Sequence, residues 1–292
     1  MKARNHMRPR RQLGLLALPA LAAALAGCGG STTVTAPAIA PAAVYKLVHF
    51  KPSGPVVAGK PVRVSFEIEQ PDGTPLVHFK TGSGPHTGVH LILVRRDLAY
   101  IIHQHPPVGH SATISQVVTF PAPGPYKLVV DVYPASVQQV VNTNFQLFGT
   151  VRVLGAYHPK PLPPPTSSDM VDGFHFTIQG AAHLKAIEAS LVTVHVTGPD
   201  GKPATFTPWF GALAHAIFFR QTSLDYFHTH VCAPGVTGCT SVLGPQKVTG
   251  TSTTPGKLKV GVLVPAPGTW RLFLQCKLDG KILTAPFTLH VR

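Results

Sequence analysis

One stretch of this chain is written twice, and that repetition constrains its fold more than anything else in the sequence. The first copy is His90-Leu-Ile-Leu-Val-Arg95-Arg96-Asp97-Leu-Ala-Tyr100-Ile-Ile-His103-Gln-His105. The second is His215-Ala-Ile-Phe-Phe-Arg220-Gln-Thr-Ser-Leu-Asp225-Tyr226-Phe-His228-Thr-His230. In each, an Arg follows the first His by five positions and a His-x-His begins thirteen positions after it. A short polar patch divides each copy into two apolar segments, the pattern of a β-hairpin. With an even-length loop centred between residues 96 and 97, His90 faces His103 on one sheet face, and His105 lies two residues further along that face. The same register puts His215 opposite His228, beside His230. Opposed Cβ atoms are about 5 Å apart and same-face neighbours along a strand roughly 6.5–7 Å. An odd loop would send the first His to the other face.

The blocks around the stretch repeat in the same order. Val62-Arg-Val-Ser-Phe-Glu-Ile-Glu69 alternates with period two and precedes the turn Pro71-Asp72-Gly73; Val192-Thr-Val-His-Val-Thr197 precedes Pro199-Asp200-Gly201. Phe120-Pro-Ala-Pro-Gly124 introduces the apolar run Tyr126 to Tyr133, and Val264-Pro-Ala-Pro-Gly268 introduces Trp270 to Cys276. Three matched blocks predict an internal duplication. No window carries a 3.6-residue period. The expected fold is all-β: two tandem immunoglobulin-like or cupredoxin-like β-sandwich domains, residues 44–155 and 169–292, joined by a Pro-rich linker, 156–168, that reads as a stiff polyproline-type spacer.

The first residues belong to neither domain. Five basic residues, Lys2 to Arg11, precede an apolar run, Leu13 to Gly27, too short for a stable membrane span. The run ends in Leu25-Ala26-Gly27-Cys28, which resembles the lipobox of bacterial lipoproteins. That resemblance implies a signal peptide over 1–27 and diacylation of the Cys28 thiol. Arg10-Arg11 leaves Sec and twin-arginine export both open. Residues 28–43, mostly Gly, Ser, Thr, Ala and Pro, read as a flexible tether. The expected location is the extracytoplasmic face of the cell membrane, held by lipid. Five of the 25 Lys and Arg and none of the 11 acids lie in residues 1–28, so the remainder carries +9. That charge favours an anionic envelope surface. With no basic block and no basic–aromatic interleaving, it gives no case for nucleic acid.

A His-Leu-x-x-Val-Arg-Arg-Asp-Leu-x-x-x-x-His-x-His-Pro block followed by Ala-Pro-Gly-x-Tyr-x-Leu resembles the YtkA-like, immunoglobulin-like domains of bacterial secreted proteins and lipoproteins. Gly211-Ala-Leu-x-His-Ala and the closing Thr284-Ala-Pro-Phe-Thr are similar to the paired domain of the same proteins. The resemblance spans most of residues 44–292 and implies the sandwich fold. Its functional content is thin, some such proteins being encoded beside metal-handling genes. The second copy departs from it at Val231-Cys232, where Pro is expected.

Three imidazoles per domain suit copper(II) or zinc. The expected ligands are His90, His103 and His105 in one site and His215, His228 and His230 in another, with His86, His110 or His78 as a possible fourth in domain one. Met170 is the only Met left after processing, which argues against methionine-type copper(I) binding. Once Cys28 is acylated, Cys232, Cys239 and Cys276 remain. Cys232–Cys239 is the first pairing and Cys232–Cys276 the alternative. No Gly-x-Ser-x-Gly elbow, paired carboxylates or phosphate-cradling loop appears, and the only acids near either His-x-His are Asp97 and Asp225 in the loops, so no enzyme is expected. Two functions stay open: a lipid-anchored metal-binding protein, or a non-catalytic envelope interaction module whose histidines are structural. The protein partner is not legible.

Overall fold

A computed structural model describes residues 44–109, 111–135, 144–233 and 250–292. The leader, the tether, Cys28, His110 and Cys239 lie outside them. Within the described residues the regular secondary structure is β-strand, apart from one turn of 3-10 helix at Ala181–His183. The first domain holds β1 (Lys46–Lys51), β2 (Val56–Val57), β3 (Pro61–Glu69), β4 (Val89–Arg95), β5 (Ile101–Gln104), β6 (Ile114–Thr119), β7 (Gly124–Val132) and β8 (Phe145–Leu154). They form a three-stranded sheet, β1-β3-β6, and a five-stranded sheet, β2-β8-β7-β4-β5. Alternate residues of β3 (Val64, Phe66, Ile68) and of β7 (Tyr126, Leu128, Val130, Val132) enter one core between the layers, as period-two patterning requires.

The second domain holds β9 (Ser168–Val171), β10 (Phe174–Gln179), β11 (Ser190–Thr197), β12 (Ala212–Arg220), β13 (Tyr226–Cys232), β14 (Gly250–Thr254), β15 (Lys257–Val262), β16 (Gly268–Leu278) and β17 (Lys281–Val291). Its ladder is continuous, β17-β16-β12-β13-β14-β15-β11-β10-β9. The run β17-β16-β12-β13 has the connectivity of β8-β7-β4-β5, and β15-β11-β10 that of β6-β3-β1. The bridge between the two runs is β14, parallel to β13 and antiparallel to β15. Both runs feed one core around Trp270, Phe218, Phe176 and Phe287. The duplication read from the sequence is therefore present in the topology. The turns Gln70–Thr74 and Gly198–Lys202 are closed by the matched bonds Gly73 N–H to Gln70 (2.9 Å) and Gly201 N–H to Gly198 (2.9 Å). Each glycine has positive φ.

The hairpin register differs from the expectation by two residues. Ile92 faces His103 and Ile217 faces His228, while His215 faces His230. The loop is even but centred one position later. Arg95 N–H bonds the Tyr100 carbonyl and Arg220 N–H the Asp225 carbonyl, so each turn holds four residues, 96–99 and 221–224. Leu98 (φ 60) and Leu224 (φ 57) take the left-handed conformation that closes them. A shift of two preserves the sheet face, so every histidine stays on the expected side.

The two sandwiches pack against each other. Every residue of β4 is buried, as is every residue of β12 before Arg220, which is unusual for antiparallel strands unless both faces are covered. One face serves each domain's own core. The other enters a third cluster, in which Ile92, Val94, Leu98 and Val129 meet Ile217, Phe219, Leu224 and Phe273. Ile92 and Ile217, Val94 and Phe219, and Val129 and Phe273 are matching positions of the two repeats.

Residues 156–168 are not a free spacer. The Arg95 guanidinium lies over the rings of Tyr100 (4.6 Å) and Tyr157 (5.5 Å), Lys160 N–H donates to Asp97 Oδ2 (2.8 Å), and Leu162 packs on the shared cluster. The connection is anchored on the first hairpin turn, where Arg95 and Asp97 form a buried bidentate pair (2.8 and 2.6 Å).

Candidate metal centre

The alternation that buries the apolar interface also sends histidines into it. His90 shares strand phase with Ile92 and Val94, and His103 and His105 with Ile101. In the second repeat His215 shares phase with Ile217 and Phe219, and His228 and His230 with Tyr226. The six rings expected to form one cluster per domain instead meet in a single cluster between the domains. Ring centroids are 5.2 Å apart for His90 and His228, 5.0 Å for His103 and His215, and 6.4 Å for His90 and His215.

Three overlapping trios have ligand nitrogens within 4.8 Å of one another: His90, His103 and His105; His90, His228 and His230; and His103, His215 and His228. Two of the three draw on both domains. The separate second-domain site thus gives way to a shared one, because the faces carrying the two trios are pressed together.

Of the further ligands proposed for domain one, His86 reaches the cluster, its Nε2 lying 3.1 Å from His230 Nδ1. His78 is exposed, and His110 lies outside the described residues. Cys232 is disulfide-bonded and Cys276 is a free, buried thiol, so the Cys232–Cys276 pairing does not hold. Burial pushes the Cys276 thiol up to about 12, which makes it inert.

Several rings are oriented by a polar group behind them. His90 Nε2–H donates to the Pro85 carbonyl (2.8 Å), and His215 Nε2–H to the Trp209 carbonyl (3.0 Å). Each leaves Nδ1 buried without a hydrogen-bond partner among the described residues. Gln275 Nε2 donates to Thr284 Oγ1 (3.0 Å), so its Oε1 accepts from His103 Nδ1–H (3.0 Å) and the His103 Nε2 lone pair is left for the cluster. Both nitrogens of His228 and Nε2 of His230 are likewise buried without a hydrogen-bond partner among the described residues. Fixing one imidazole nitrogen to a carbonyl while the other carries a lone pair is how ligand histidines are held.

One carboxylate reaches the site. Asp131 on β7 lies 3.7 Å from His228 Nδ1 and accepts hydrogen bonds from Asn144, Gln146 and Tyr226 (2.9, 2.9 and 3.2 Å). Burial raises its proton affinity, and those bonds oppose the rise. Asp131 and Gln275 occupy the same place in the repeat, five residues after Tyr126 and Trp270. Sequence reasoning missed both. The available signal was phase: Val129 and Asp131, like Phe273 and Gln275, sit on strand faces that look solvent-facing until a second domain covers them. Asp97 and Asp225, the acids noted from sequence, bind Arg95 and Arg220 and close the turns instead.

Burial, reinforced for most rings by neighbouring histidines, holds the imidazoles neutral. His90, His103, His228 and His230 lie well below the usual range, His105 is also lowered, and His215 falls to about 4. Neutral imidazole is the form that binds a metal. Phe210 (φ 45) and Gly211 (φ 74) turn the chain so that the Phe210 ring lies flat on His105, with centroids 3.8 Å apart and planes at 8°. His105 is only half-buried and Phe210 is 37% exposed, so this pair lies between the cluster and solvent.

A domain of unknown function, DUF8832, matches residues 43–148 and 169–292, which take in most of each sandwich. The chain belongs to this family. The two DUF8832 segments leave out the anchored connection and take in every histidine of the cluster. No curated protein matches the sequence.

Among solved structures, the chain is similar to invasin, a bacterial integrin-binding protein (11% identity, 86% of this chain and 39% of that one, TM-score 0.25). It is also similar to the fibronectin(III)-like modules of Clostridium thermocellum CbhA (12%, 84% and 94%, 0.20) and to the D1–D4 ectodomain fragment of ICAM-5 (13%, 85% and 53%, 0.22). The chain thus spans well under half the length of the invasin structure.

Proposed function

We propose that the protein is an extracytoplasmic, lipid-anchored metal-binding protein that takes up copper or zinc in the cluster between its two sandwiches. The observation that carries this reading is the set of buried ring nitrogens on His90, His215, His228 and His230 that lack a hydrogen-bond partner among the described residues, several of the rings being oriented from behind. A buried polar group left unsatisfied costs about 1–3 kcal/mol. Several in one pocket make sense where a cation satisfies them. All-imidazole ligation suits copper(II) and zinc over harder ions. The lipobox-like Cys28 and the resemblance to YtkA-like domains support the anchor and the envelope setting. The reading is non-catalytic and involves no nucleic acid.

A second reading, an envelope interaction module with structural histidines, is favoured by the carbonyl bonds of His90 and His215. Those bonds use one nitrogen of each ring and leave the other unexplained.

The test is metal analysis and titration calorimetry of the full-length protein with copper(II) and zinc. The control is a variant carrying His103→Ala, His105→Ala, His228→Ala and His230→Ala. Submicromolar binding, lost in the variant, is the expected result. Absence of binding by the folded wild type would remove the metal reading and leave the interaction module.

A further inference from the structure

The three convergent trios are not equally supported from behind. In the trio His103, His215 and His228, every ring has an oxygen against one of its nitrogens. Gln275 Oε1 lies 3.0 Å from His103 Nδ1, the Trp209 carbonyl 3.0 Å from His215 Nε2, and Asp131 Oδ2 3.7 Å from His228 Nδ1. Each of the other two trios contains a ring whose bond runs to another histidine instead. His105 Nε2 meets His103 Nε2 at 3.1 Å, and His230 Nδ1 meets His86 Nε2 at 3.1 Å. An acceptor behind a ligand histidine fixes the ring and raises the basicity of the nitrogen that binds metal. The fully backed trio also draws on both sandwiches, and through His228 it lies beside Asp131, the carboxylate that reaches the site.

One of its three lone pairs is already in use. His103 spends its Nδ1–H on Gln275, so its Nε2 accepts and His105 Nε2–H is the donor. A single lone pair cannot serve that N–H and an ion together. His105 is half-buried, so an N–H displaced from His103 can pass to water, which the fully buried rings cannot do.

We propose, resting on the metal-binding reading above, that the cluster holds one divalent copper or zinc ion on His103, His215 and His228, and that His105 is no ligand but the donor that the ion displaces from His103. Three imidazoles leave a fourth position for water. His90 Nδ1 and His230 Nε2, which this trio does not use, are the buried nitrogens available to that water.

The test is zinc titration calorimetry of the full-length protein and three single variants, each checked for folding by its unfolding midpoint. Wild type is expected to saturate at one equivalent. His215→Ala should weaken binding by more than the 10–100-fold that losing an outer-shell partner costs, and His230→Ala by less than that. His105→Ala should bind about 2–10-fold more tightly, the worth of one competing hydrogen bond, and load faster in stopped flow. Unchanged or weakened binding in folded His105→Ala would overturn the proposal, as would saturation above one equivalent or a loss in His230→Ala equal to that in His215→Ala. The His105 arm decides the matter even where His215→Ala does not fold, since that ring belongs to neither sandwich core. No binding by the folded wild type would overturn the metal reading itself rather than the choice of ligands.

Discussion

His103 and Gln275 meet across the domain interface, imidazole Nδ1 to amide Oε1, at 3.0 Å. Because Gln275 spends its amino group on Thr284, it presents only an acceptor to His103 and so selects the tautomer whose Nε2 lone pair faces the other histidines. Replacing Gln275 with Ala removes that selection and leaves a buried N–H without its partner. The expected outcome is a 10–100-fold loss of copper or zinc affinity by calorimetry, with about 1–3 kcal/mol of stability lost in urea titrations of the metal-free protein.

The metal-free protein is expected to lose stability in mild acid. Its cluster histidines bind protons less readily when folded than when unfolded, where they titrate near 6.5; His215, for one, falls to about 4. Below pH 6.5 the unfolded chain therefore holds more protons, and stability declines as pH falls from about 6.5 toward 4. Each histidine kept neutral steepens the decline by up to about 1.4 kcal/mol per pH unit. Urea midpoints measured from pH 7.5 to 4.5 check this. A flat profile would mean that the rings are solvated.

Gly211 sits at φ 74, and a Cβ there would run into the Ser83 carbonyl and lie 2.5 Å from the Gly84 carbonyl carbon, both in the other domain. Gly211→Ala is expected to cost about 1–2 kcal/mol from backbone conformation alone. It should cost more by pushing the segment carrying Pro85 and His86 away from the second sandwich. Metal affinity should drop although no ligand is altered, and calorimetry compared with thermal unfolding separates the two effects.

Phe219 is fully buried in the shared cluster and contributes to neither sandwich core. Phe219→Ala is expected to lower stability by about 3–5 kcal/mol. Limited proteolysis of the 156–168 connection should accelerate, since that segment is held by the closed interface. Unchanged cleavage would show that the Arg95 and Asp97 contacts hold the connection unaided.

Much of this architecture can be read from residues alone. The spacing His90 to His103 and His215 to His228, with the matched Pro-Asp-Gly and Pro-Ala-Pro-Gly blocks, is enough for the duplication, the hairpins and the sheet face of every histidine. The register is not. Leu98 and Leu224 close their turns in a conformation that glycine or asparagine would have advertised and leucine does not. The interface was legible in principle: a run such as Ala212 to Phe219 is apolar on both strand faces, which an antiparallel strand with one wet face is not. Reading each repeat as a separate domain hid that meaning, and with it the convergence of the trios and the arrival of Asp131. His86 was one of three candidates with His78 and His110, and nothing in the sequence separates them, because a loop histidine outside the repeat pattern is placed only by the folded interface.

The matched interface positions, Ile92 with Ile217, Val94 with Phe219 and Val129 with Phe273, are what a twofold axis produces when a surface meets its own copy. A homodimer of one repeat would bring its matching positions together in the same way. Such a dimer is bound by its symmetry to place either two Asp or two Gln behind the rings. Two repeats in one chain are free of that constraint. Asp131 in one half and Gln275 in the other give the pocket a single carboxylate, an odd number that no symmetric pair of identical subunits can supply.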